Sequence, residues 1–144
     1  MARRPRSQTR VKSGGQRPAR LFVYGTLRDA ERLAAVIGAA SAWRQLGAAT
    51  IRGRLYDLGP YPAARPGRNP SERVRGVVFE FADGAAALLP LDEYEETVAT
   101  GLYARRRTRA RLAAGRTLAA WFYVYRRPVR GLPRIASGDW SQRR

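Results

Sequence analysis

The chain has 144 residues, 44% of them hydrophobic, with neither cysteine nor histidine. This length fits one domain around one core, and the missing residue types exclude disulfides, thiol or imidazole catalysis, and metal sites built on thiolate or histidine. The formal net charge is +17, almost all of it arginine, so polyanions must be weighed as partners.

Any general acid or base is therefore Asp, Glu, Tyr, the single Lys12 or a chain terminus. A metal site would have to be built from the 11 carboxylate side chains alone, and no metal or other cofactor is expected. No apolar run reaches the roughly 18 residues of a membrane-spanning helix. The basic N-terminus has no apolar stretch behind it and does not read as a secretory leader. The lack of cysteine fits a cytoplasmic protein.

Residues 1–19 are polar, cationic and broken by Pro and Gly, with Val11 the one sizeable aliphatic side chain. Seven of the 28 basic residues lie in the first 20 positions, which hold no acid. Such a segment cannot bury enough apolar surface to offset its ordering entropy. It reads as a disordered basic tail ahead of one folded domain, residues 20–144. It is either a solvated extension or a contact for acidic surfaces, nucleic acid included. The remaining arginines are spread out, with no aromatic-interleaved reader motif, which favours the first reading.

The domain opens with a strand over residues 20–24, ending Phe22-Val23-Tyr24. Gly25 and Thr26 then break the run and offer a hydroxyl and a row of backbone N–H groups. On these residues alone the stretch is a plain strand end or a ligand-binding turn. Residues 28–38 carry Leu33, Val36 and Ile37 at helical spacing, with Gly38 as a stop. Residues 42–58 read as a strand. Four prolines between Pro60 and Pro70 make that stretch a loop or an edge segment, because proline cannot donate to a ladder.

Residues 73–81 alternate, with Val74, Gly76 and Val78 on one side and Arg75, Val77, Phe79 and Phe81 on the other. Asp83-Gly84 is a turn. Residues 85–96 are the strongest helical stretch, with Pro90 suited to the first turn of a helix over 91–97. Residues 102–112 and 117–126 form a hairpin in which Trp121, Tyr123 and Tyr125 share a face opposite Phe122 and Val124. Five or six strands with two short helices predict an α+β fold with a curved or closed sheet.

The one dense acidic cluster is Asp92-Glu93-Tyr94-Glu95-Glu96. On a helix, Asp92 faces the same side as Glu95 and Glu96, and Leu88, Leu91, Tyr94 and Val98 mark the buried side. Glu95 borders that side, where partial burial raises a carboxyl above its free value of about 4.3. A raised value suits a group that takes and gives a proton near neutrality. The same residues also read as solvated helix acids balancing the arginines. Tyr103 and Arg105 follow on the next strand. Ser137-Gly138-Asp139 suits a turn or an Asx cap.

Taken in order, these pieces resemble the γ-glutamylcyclotransferase-like family, which includes γ-glutamylamine cyclotransferases and avirulence-induced proteins. The match lies in Phe22-Val23-Tyr24-Gly25-Thr26-Leu27-Arg28, Gly53-Arg54-Leu55-Tyr56-Asp57-Leu58-Gly59 with Tyr61-Pro62-Ala63, and Val74-Arg75-Gly76-Val77-Val78-Phe79. It continues in Leu91-Asp92-Glu93-Tyr94-Glu95 with Leu102-Tyr103-Ala104-Arg105, and in Trp121-Phe122-Tyr123-Val124-Tyr125 with Ser137-Gly138-Asp139-Trp140. The resemblance implies a small mixed-sheet β-barrel with short flanking helices and an active cavity at one end. It implies cleavage of a γ-glutamyl amide to 5-oxoproline and an amine or amino acid, with the substrate's own α-amine as nucleophile and no cofactor. By position, the catalytic glutamate falls on Glu95. The substrate-binding residues fall on Tyr24, Gly25, Thr26 and Leu27, with Tyr103 lining the pocket. Glu96 stands where the family commonly has glycine, and either raises the pKa of Glu95 by repulsion or points to solvent. The alternative is a non-catalytic protein of the same fold that uses its basic surface for nucleic acid or an acidic partner.

Overall fold

The computed structural model describes residues 17–97 and 101–142. Most of the expected tail, and Val98, lie outside the described residues. The strands are β1 (Ala19–Val23), β2 (Trp43–Asp57), β3 (Pro62–Pro66), β4 (Arg73–Phe81), β5 (Tyr103–Leu112), β6 (Thr117–Tyr125) and β7 (Arg134–Ile135). The helices are α1 (Ala30–Ile37) and α2 (Gly84–Thr97), with short 3-10 turns at Thr26–Arg28 and Trp140–Gln142. No helix among the described residues is long and apolar enough to cross a membrane.

Five strands close a mixed barrel in the order β2-β4-β1-β6-β5, with β5 pairing back onto β2. The architecture is therefore α+β, a small barrel with two short helices. β1 is antiparallel to β4, with Leu21 opposite Phe79, and parallel to β6, with Leu21 opposite Trp121. β3 and β7 both pair with the far end of β2.

Side-chain alternation divides the apolar residues into two cores. Phe22, Ile51, Val74, Val78 and Phe122 fill the barrel. Leu21, Val23, Phe79 and Phe81 point the other way and pack beneath Leu33, Ile37, Leu88 and Leu91 of the helices. The mixed pattern of β4 follows from this. Its outer side is covered by helices at Phe79 and Phe81 but bare at Arg75.

The proline-rich stretch after Pro60 resolves as an edge strand. β3 pairs antiparallel with β2 and places its two prolines at its ends, so the missing donors fall where the ladder stops. α2 does not start at Leu91. It runs unbroken from Gly84 through Pro90, because Asp83 caps it by accepting from the Ala86 N–H at 3.2 Å. Buried Ala87, Leu88 and Leu91 hold both halves of that helix down across the one lost hydrogen bond. α1 begins at Ala30, not Arg28, since the Asp29 carboxylate caps it at the Glu31 N–H, 3.0 Å away.

Gly76 sits where β4 passes the end of β1. A Cβ there would lie 2.2 Å from the Val23 carbonyl oxygen and 2.8 Å from Phe22 Cζ. Gly76→Ala is expected to push the two strands apart and destabilise the fold by roughly 1–3 kcal/mol. Chemical denaturation would show this as a lower midpoint with an unchanged m value.

Candidate active site

At the end of β1 the chain leaves the barrel through Tyr24 and Gly25 into the Thr26–Arg28 turn. A cavity of about 50 Å³ lies beside it, lined by Tyr24, Gly25, Thr26, Leu27, Tyr61 and Pro62, and by Tyr94, Glu95, Tyr103 and Tyr123 across from them. The structure thus brings all six sequence-derived site residues around one space. They arrive from β1 and its turn, from α2 and from β5.

The turn is rigidly braced. Arg28 donates from Nε to the Gly25 carbonyl at 3.2 Å and from Nη1 to Asp139 at 3.2 Å. Asp139 in turn accepts from the Ser141 N–H at 3.0 Å, so it is both a cap and an ion-pair partner. The N–H groups of Thr26 and Leu27 open the turn and have no acceptor among the described residues. A Cβ on Gly25 would come 3.1 Å from Pro62 Cγ, so the tight approach of β3 favours glycine there.

Glu95 is partly buried on the cavity side of α2, and its carboxylate has no hydrogen bond or ion pair among the described residues. Burial, then the charge of Asp92, pushes its pKa up to about 7. Asp92, one turn earlier, is fully answered. Arg105 holds it through two bonds of 2.9 and 3.1 Å, and the Tyr123 hydroxyl donates to it at 2.7 Å. Glu96 is exposed, so the carboxylate that acts on Glu95 is Asp92.

Three phenols surround this acid. Burial raises the pKa values of Tyr24, Tyr103 and Tyr123, and the Glu95 charge raises each further. They therefore stay neutral across the working range of pH. Tyr24 donates to the Tyr123 carbonyl, and Tyr103 donates to the Pro62 carbonyl at 2.6 Å. With its proton committed, the Tyr103 oxygen offers the cavity only its lone pairs. It is an acceptor there, not a donor. Among the described residues no group of three or more potential ligand side chains converges to hold a metal ion.

The sequence reading placed Asp92 on the right face but did not pair it with Arg105 and Tyr123. Arg105 and Tyr123 stand directly opposite each other across β5 and β6. The hairpin alternation was the available signal, since its register sets both side chains on one face.

Comparison with known proteins gives a consistent result. Residues 21–142 match the family model described as gamma-glutamyl cyclotransferase, AIG2-like. The chain is 38% identical over 129 residues to the gamma-glutamylcyclotransferase family protein YtfP of Escherichia coli K12, covering 86% of this chain and 97% of that one. The solution structure of E. coli ytfP aligns with TM-score 0.54 at 35% identity, over 86% of this chain and 97% of that one. The crystal structure of an aig2-like protein from Mus musculus aligns with TM-score 0.64 at 20% identity, over 81% and 85% respectively, and shows the shared fold.

Because the folded pKa of Glu95 lies above its unfolded value, the fold binds this proton more tightly than the unfolded chain does. That stability is fully present below the unfolded pKa of about 4.5 and is lost as pH rises through about 7. Glu95→Gln lacks this loss. Its stability relative to the parent chain should rise between those two pH values and level off above, measured by denaturant titration at a series of pH values.

Proposed function

The chain belongs to the gamma-glutamyl cyclotransferase, AIG2-like family, and on that premise we propose that it is a cofactor-independent enzyme acting on a small γ-glutamyl amide. The products are 5-oxoproline and a released amine or amino acid. The α-nitrogen of the glutamyl part bonds to its own δ-carbon, closing a five-membered ring, and the bond from that carbon to the leaving nitrogen breaks.

Glu95 moves the proton. It takes one from the α-ammonium, freeing the nucleophile, and gives it to the departing nitrogen. The second proton that the α-nitrogen sheds on becoming the ring N–H also goes to the released amine, which leaves as its ammonium form, so the carboxylate ends as it began. The backbone N–H groups of Gly25, Thr26 and Leu27 receive the substrate α-carboxylate or the developing oxyanion. The Tyr103 oxygen suits the substrate ammonium, since it has only lone pairs to offer. Tyr24 walls the space and holds water out of it. One observation carries this reading: an unpaired, partly buried carboxyl with a pKa of about 7 shares a cavity with free N–H groups.

Incubation with a panel of γ-glutamyl amides should release 5-oxoproline and free amine in equal amounts. Glu95→Gln should lower kcat by about 10²–10⁴; turnover unchanged in that variant would refute the mechanism. The base must start unprotonated, so kcat/KM should climb with pH through about 7 and then flatten. A flat profile across that region would assign the proton transfer to another group.

A further inference from the structure

Away from the cavity, the outer faces of β4, β2 and β5 meet at Thr50. Thr50 is paired with Arg75 on one side and with Arg111 on the other, and Arg52 is paired with Arg73 next to them. Two hollows of about 630 and 450 Å³ adjoin here and share Thr50, Arg75 and Arg111. The Arg73 guanidinium is fixed by bonds of 2.8 Å to the Thr50 hydroxyl and 3.2 Å to its carbonyl.

Carboxylates do border these hollows, but each is already answered. Glu72 is held by Arg54 at 3.0 Å and Arg134 at 3.1 Å, and Asp139 by Arg28 at 3.2 Å. Arg52, Arg73, Arg75 and Arg111 have no carboxylate partner among the described residues. Burial and the repulsion of Arg111 and Arg52 lower the pKa of Arg73, as expected where cations crowd without a counter-charge.

We propose that this arginine-lined depression across β4, β2 and β5 binds the phosphodiester backbone of nucleic acid without sequence preference. The cations are spread over three neighbouring strands about 4.8 Å apart, and Arg109 and Arg107 continue them along β5 at steps of about 6.6 Å. That is a track for repeated phosphates, not a socket for one. No base reader accompanies it. Among the described residues no aromatic side chain lines either hollow, and Trp121, further along the sheet, has its ring covered by the guanidinium groups of Arg105 and Arg107 at 4.4 and 4.7 Å. Phosphate contacts without base contacts position a chain but do not select its sequence. This proposal does not depend on the chemistry of Glu95, and a chain inactive on γ-glutamyl amides can still show it.

The test is fluorescence anisotropy of a labelled, mixed-sequence single-stranded oligonucleotide with the full chain at several salt concentrations. Four neutralised phosphates predict a slope of log affinity against log salt of about −3, steeper if other cations join. The exposed pair Arg75→Glu with Arg111→Glu should weaken binding at least about tenfold and flatten the slope by about 1.4. Arg75→Lys with Arg111→Lys should keep most of the binding and certify that the face still folds. A control pair elsewhere, Arg32→Glu with Arg130→Glu, carries the same change in charge and should cost much less. Equal losses from the two reversal pairs would mean only diffuse charge, and overturn the proposal. So would absence of oligonucleotide binding, or saturable binding of pyrophosphate alone. None of these results bears on release of 5-oxoproline, which is assayed separately.

Discussion

β1 has neither a free edge nor a free face, and the candidate site depends on that confinement. Its two edges are bonded to β4 and β6, Phe22 fills the barrel, and Leu21 and Val23 lie under the helices. Each such side chain contributes about 1.5–3 kcal/mol on burial, so a strand of five residues is anchored well beyond its length. The turn that leaves it is fixed in place as a result. Arg28 then ties the start of that turn to Asp139, near the far end of the chain. The first and last parts of the domain meet there, and the turn lines a defined space.

The second constraint is electrostatic. Among the described residues, Glu72, Glu80, Asp92 and Asp139 make ion pairs with arginine. Glu95, on the same helix as Asp92 but lining the cavity, has none, and Arg105 on the adjoining strand spends its Nε and Nη2 N–H groups on Asp92. The Tyr123 hydroxyl goes to Asp92 as well. Asp92 is thus fully hydrogen-bonded, while Glu95 is left among phenols with its pKa raised to about 7. Both effects come from the same hairpin register, which sets Arg105 beside Tyr123.

β5 also links the two halves of the molecule. At one end its side chains build the network around Asp92. At the other, Arg111 joins Arg75 and Arg73 around Thr50, where among the described residues the bordering carboxylates Glu72 and Asp139 are each held by other arginines. Acids and unopposed arginines are thereby separated along one strand, so charge of opposite sign is presented in different places despite the large overall excess.

Much of this was legible in the residues. A short apolar run located β1, period-two alternation located β4 and β6, the hairpin reading added β5, and Leu33 with Ile37 marked α1. The absence of cysteine and histidine left Glu95 and its neighbours as the acids to examine. Proline misled at Pro90, because a local rule about one missing donor does not know what the flanking side chains bury, whereas after Pro60 the same rule left an edge segment open and the structure has one. The family resemblance placed Tyr103 near the pocket but did not give its role, since the acceptor of its proton is the carbonyl of Pro62, 41 residues away. The sequence alone determined the element types, the two apolar stripes and the short roster of acids, because those follow from composition and from spacing along the chain. Only the tertiary structure decided which acid is paired and which is left alone. Closing the barrel sets the distance from each carboxylate to an arginine on another strand, and that distance is not written in either local stretch.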